Sequence, residues 1–82
     1  MARVILNREI ARRYTGGETE IEVAESNIRA LIRSLDARYP GLGIILRTDM
    51  AVAIDGQIYQ DALLEPVGPN VEVAFIPAIE GG

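Results

Sequence analysis

The residues best placed to do chemistry in this 82-residue chain are its last two, Gly81 and Gly82. Glycine lacks Cβ, reaches backbone conformations closed to other residues, and can thread a narrow channel. Such an end can serve as a reagent through its own main-chain carboxylate, or it can be a plain frayed terminus. The rest of the composition narrows the choice by what it omits. No cysteine is present, so there is no thiolate nucleophile and no cysteine metal site; no histidine is present, so the commonest general base is missing. Side-chain catalysis has few groups to draw on. All eight basic residues are arginine, set against twelve acids for a net charge of −4. That balance repels a phosphate backbone and argues against nucleic-acid binding. Lysine is also absent. If the chain were joined to proteins through its terminus, it could not form chains of itself on its own side chains.

Other local candidates have bland explanations. Gly16-Gly17 lacks the following lysine and helix start of a phosphate-binding loop, and reads as a turn. Glu18, Glu20 and Glu22 fall on alternate positions of a strand, which spaces them along a solvated face and not around a cation. Met50 reads as strand packing. No metal, cofactor or small-molecule pocket is assigned.

The elements that would hold the terminus follow from periodicity. Residues 3–7 read as a first strand with Val4 and Leu6 inward, and Ile10 as a plug at one end of the core. A turn at 12–17, built on the paired glycines, leads to a half-buried strand over 18–23 with Thr19, Ile21 and Val23 on its inner face. A helix from Ser26 or its neighbour to about Tyr39 carries Ile28, Leu31, Ile32, Leu35 and Tyr39 on one stripe, and Pro40-Gly41 stops it. It is expected to lie alone across the sheet. Ile44-Ile45-Leu46 reads as a strand or a buried connection. Met50–Ile54 is a strand, Asp55-Gly56 a hairpin turn, and Gln57–Tyr59 its return. Ala62-Leu63-Leu64 reads as a helical turn, and Pro66, Gly68, Pro69 and Asn70 as the last loop. A final apolar strand over 71–76 ends at Pro77, which cannot donate to a ladder.

Size and apolar content suit one folded domain, and no apolar run reaches membrane-spanning length. The start, Met1-Ala2-Arg3, leads into a strand and not a signal peptide, so a cytoplasmic protein is expected. The order strand, strand, helix, strand, short strand, strand predicts an α+β layer, with a mixed sheet of four to five strands grasping one main helix. The first and last strands would lie parallel at the centre, which is the β-grasp (ubiquitin-like) arrangement. The domain is expected over residues 1–76, with 77–82 a flexible tail.

The ending Val73-Ala74-Phe75-Ile76-Pro77-Ala78-Ile79-Glu80-Gly81-Gly82 resembles that of the ubiquitin-like bacterial sulfur carriers. These include the small subunit of molybdopterin synthase, the thiamine carrier and the cysteine-biosynthesis carrier. Arg13-Tyr14-Thr15-Gly16-Gly17 resembles the first turn of some members, and Leu31 through Leu42, with Tyr39-Pro40-Gly41, resembles their helix end. Only the C-terminal motif is specific to the family. The resemblance implies a carrier and not an enzyme in its own right, although it could be the small subunit of a synthase. The Gly82 carboxylate would be adenylated by a partner resembling the ubiquitin-activating enzymes, with ATP used there and no cofactor bound here. Conversion to a thiocarboxylate would follow, and a sulfur-accepting synthase would be the second partner. Gly81 would be the thin segment entering each channel. Phe75, Pro77 and Ile79 match docking positions of the family, while alternation also allows Phe75 to be core. The chain is expected to be a monomer on its own, binding neither nucleic acid nor membrane. Ala78 replaces a second proline common in the molybdopterin branch, and Gly68-Pro69-Asn70 replaces a Gly-Asp-Glu turn. With Pro77-Ala78 and Thr15-Gly16-Gly17, these departures lean toward the cysteine-biosynthesis type. Two readings of other kinds stay open: a protein modifier conjugated through Gly82 to target lysines, and a non-reactive β-grasp interaction module.

Overall fold

Strand β1 (Ala2–Ile5) buries Ala2 and Val4 and turns Arg3 outward. It pairs antiparallel with β2 (Glu20–Val23) so that Val4 meets Ile21 and Ala2 meets Val23, two buried apolar pairs. The acids of β2 are thereby forced to the other face, where Arg3 lies 3.2 Å from Glu20 and 3.9 Å from Glu72. These exposed ion pairs contribute little to stability. A computed structural model describes residues 1–48, 50–59 and 62–77.

The link between β1 and β2 is not the tight turn expected over 12–17. Asn7 caps a short helix, α1 (Arg8–Ile10), by accepting the Ile10 N–H at 2.8 Å, and the chain runs on into a π-helical turn at Ala11–Thr15. Gly16, at φ 70°, ends it in the left-handed region where a Cβ would be strained, and the Gly17 N–H closes back onto the Ala11 carbonyl. The glycine pair is therefore a helix stop. The buried Thr15 hydroxyl sits 2.7 Å from the Glu18 carbonyl and 3.0 Å from that of Ala11. Thr19 lies outside β2 and is exposed, contrary to its expected inward position.

Helix α2 (Ile28–Arg38) buries the expected stripe of Ile28, Leu31, Ile32 and Leu35, with Tyr39 half-buried at its end. Asn27, next to the expected Ser26, is the cap: its side chain accepts the Ala30 N–H at 2.8 Å. Two further free donors at this end are met from outside the helix, Ile28 N–H by the Glu65 carbonyl and Arg29 N–H by the Leu63 carbonyl. These bonds, with Val67 N–H on the Ser26 carbonyl, bind the 62–67 segment along the start of α2.

Ile44-Ile45-Leu46 is helical, not a strand, and α2 is not alone. Helix α3 (Leu42–Thr48) buries Leu42 and Leu46, one turn apart, and leaves Ile44 exposed. The Asp36 side chain reaches across from α2 and accepts N–H bonds from Gly41 and Gly43 at 3.1 and 2.9 Å, fixing the corner.

Strand β3 (Met50–Ile54) turns through Asp55-Gly56 into β4 (Gln57–Tyr59) as expected; both turn residues have positive φ, at 48° and 86°. Asn70, at φ 65°, precedes β5 (Glu72–Pro77). The five strands lie in the order β2-β1-β5-β3-β4, with β1 and β5 parallel and every other pair antiparallel. Helices α2 and α3 cover one face. Val4 and Val73 of the central pair, Phe75, and the leucines of both helices form the core. Each such side chain contributes about 1.5–3 kcal/mol by leaving water.

Candidate docking face and terminal segment

Strand β5 is the element that delivers the terminus, and its alternation decides what surrounds it. Val73 and Phe75 point into the core; Glu72, Ala74 and Ile76 point to the face the helices leave open. Phe75 is 2% exposed. Its side chain is enclosed beneath the sheet, which fits the core placement that alternation allowed and leaves little of the ring on the surface for the expected docking role. Pro77, also expected to dock, is exposed and is the last described residue of β5, opposite Met50 and one position beyond the expected domain boundary. Ile79, Gly81 and Gly82 lie outside the described residues, as does Ala78.

The residues that alternation sends outward make a continuous apolar surface. Register aligns Ile5, Ala74, Ala53 and Ile58 in one row across β1, β5, β3 and β4, and sets Ile76 against Ala51 in the row nearest the end of β5. Ile58 is 60% exposed, and the others are half-buried. The central alanines keep the surface flat, so another molecule can approach the backbone closely. This surface is bordered on the β2 side by Glu20 and Glu22 and at the start of β5 by Glu72, with Arg3 among them. It suits a partner offering apolar groups beside basic ones.

Sequence reasoning located the strand but gave no docking role to Ala74 or Ile76. The burial of Val73 forces Ala74 and Ile76 outward, a signal available once Phe75 is counted on the same face as Val73. Ala51, Ala53 and Ile58 carried no local signal, because their exposure depends on which strands adjoin β5. Among the described residues, no group of three or more acidic, histidine or cysteine side chains could hold a metal, and no helix is long and apolar enough to cross a membrane.

A mixed sheet with parallel first and last strands at its centre, closed over helices on one face and open on the other, defines a β-grasp protein of the ubiquitin-like kind. The chain matches the ThiS family over residues 4–82 and belongs to it. It is thus a member of the ubiquitin-like sulfur-carrier group that its last residues resemble, a group of carrier proteins. Among solved structures, it is similar to CysO in the BexX/CysO complex of Amycolatopsis orientalis, with a TM-score of 0.84 and 21% identity over 100% of both chains. CysO of Mycobacterium tuberculosis, described as an antigen, gives 0.83 and 17%, covering 96% of this chain and 100% of that one. The small archaeal modifier protein 1 of Methanosarcina acetivorans gives 0.78 and 17%, covering 99% and 95%. At these identities the likeness is one of fold. A comparison with curated protein sequences finds no match.

Proposed function

We propose that this protein is a sulfur carrier whose reagent is the Gly82 carboxylate. The observation that carries the reading is a family match extending through Gly81 and Gly82, in a chain whose last described strand ends on an exposed proline. A carboxylate is ionised at neutral pH and is a poor electrophile, with an intrinsic pKa of about 3.3–3.7. A partner adenylyltransferase would join it to the α-phosphate of ATP, releasing pyrophosphate. Hydrosulfide would then attack the acyl carbon and expel AMP, which keeps one of the original carboxylate oxygens. The product is a thiocarboxylate, and a second partner would take its sulfur for biosynthesis. The departures at Ala78 and at Gly68-Pro69-Asn70 favour a cysteine-type pathway over a molybdopterin-type one. The chain acts as a carrier in the cytoplasm, and in the molybdopterin case as the small subunit of a synthase.

The flat apolar face around Ala74 and Ile76 supports this reading, since it lies beside the strand end from which residues 78–82 follow and would orient them toward a bound enzyme. That a similar CysO is found in complex with BexX is consistent with a carrier that works while bound. The test is to incubate the protein with a family adenylyltransferase, ATP and sulfide, and to weigh the intact chain. Exchange of one oxygen for sulfur, confined to the C-terminal peptide, is the expected result; an unchanged mass under conditions that charge a known carrier would overturn it.

A likeness to a protein called a modifier gives the second reading some weight. The same activated glycine would then pass to a target lysine. Slower-migrating adducts, present with the full chain and absent without Gly81-Gly82, would favour it.

A further inference from the structure

The helix side of the molecule, away from the open sheet face, carries a groove. It has a volume of about 840 Å³ and runs between α2 and α3, with Leu63 and Leu64 forming part of its wall. Ile32 is buried at its floor, while Ile44 and Leu64 stand 61% and 84% exposed. Arg29, Arg33 and Arg47 line it. In a chain with four more acids than bases, three of the eight arginines converge here. None of them forms an ion pair among the described residues, where the pairs involve only Arg3 and Arg12. The one acid in the lining, Asp36, already accepts two backbone N–H bonds from Gly41 and Gly43 through one carboxylate oxygen.

Both walls are held firmly. The bonds from Ile28, Arg29 and Val67 bind the 62–67 segment to the start of α2, and at Gly43 the corner between the helices is so close that a Cβ would lie 2.8 Å from Asp36 Cβ. A groove fixed before binding loses little entropy when it is filled. Its composition, arginines around exposed aliphatic side chains, is that of a protein interface.

We propose that this groove docks an acidic segment of a partner protein. An aliphatic side chain of that segment seats over Ile32 between Ile44 and Leu64, and flanking carboxylates meet Arg29, Arg33 and Arg47. A small anion would satisfy the arginines and leave the two exposed aliphatics in water. Nucleic acid would face the net negative charge of the remaining molecule. The surface shares no residue with the open sheet face, and the proposal stands whether or not Gly82 is ever activated.

The test is a titration of the isotopically labelled full chain with a synthetic peptide bearing one leucine flanked on both sides by glutamates, followed by amide shifts. The expected result is movement centred on Gly43, Ile44, Leu63 and Leu64, weakening as salt rises from about 0.05 to 0.3 M. Arg33→Glu with Arg47→Glu should reduce affinity by about tenfold or more, and Leu64→Ser should also reduce it, whereas Arg12→Glu near α1 should not. Unchanged melting temperatures establish that each variant is folded. The proposal is overturned if the peptide leaves those amides unmoved, if a peptide with lysine for glutamate binds equally well, or if the groove variants bind like the parent. It is also overturned if ATP moves these amides and the peptide does not, or if deleting residues 78–82 alone moves them, which would make the chain's own terminal segment the occupant.

Discussion

Gly43 of α3 packs tightly against Asp36 of α2, and its value is the side chain it lacks. An added Cβ would meet three Asp36 side-chain atoms at 2.8 to 3.0 Å, and Asp36 cannot retreat without releasing the two N–H groups it holds. Gly43→Ala should therefore cost about 1–3 kcal/mol in urea unfolding, the range for overfilling a packed site. A second contrast at this scale separates neighbours on β5. Phe75→Ala removes a buried ring and should cost about 3–5 kcal/mol. Ile76→Thr keeps the β-branched shape on the open face and should stay within about 0.5 kcal/mol of the parent. Only the second should slow adenylation without unfolding the chain, and pyrophosphate release would measure it. The distinction was half legible in the sequence: alternation from Val73 puts Phe75 inside, but the motif that carried the family resemblance pointed to Phe75 as a surface residue.

At the level of elements, the strands β3, β4 and β5 and the helix α2 could be read because each has a period and a punctuating residue of its own. Asp55-Gly56 reverses the chain by adopting positive φ twice, and Asn27 supplies a cap beside the residue expected to do so. Helix α3 could not be read so directly. Three successive aliphatic residues at 44–46 fit a strand as well as a helix, and what favours the helix is an acceptor donated by another element. Asp36→Ala should therefore cost about 1–2 kcal/mol, as the loss of a strong cap does, and the amide shifts of Gly41 through Leu46 should report fraying of α3. The segment between β1 and β2 was misread for a different reason. Paired glycines suggest a tight reversal, yet fourteen residues, 6–19, separate the two strands, and Asn7 had already begun a helix that the glycines then stop.

For the molecule as a whole, the core formed by the described residues runs from Ala2 to Phe75. Deleting Gly81-Gly82 should leave the thermal midpoint unchanged and abolish thiocarboxylate formation; a lowered midpoint would show instead that these residues support the fold. The overall topology was legible because the first and last strands are both apolar, as strands at the covered centre of a sheet are, and the helix between the two halves allows them to run parallel. The apolar face was not, since it depends on a strand order that no local pattern states. That topology also sets how the molecule bears load. An enzyme drawing on the C-terminus while the N-terminus is held pulls β1 and β5 in opposite senses along their common axis, so their pairing is sheared as a block and cannot be peeled one bond at a time. Force spectroscopy applied between the two ends should meet a high rupture force, governed by the unfolding barrier and not by the equilibrium stability, and attachment across β3 and β4 should give a much lower one. A handle of this design can be tugged by its reactive end and keep its shape.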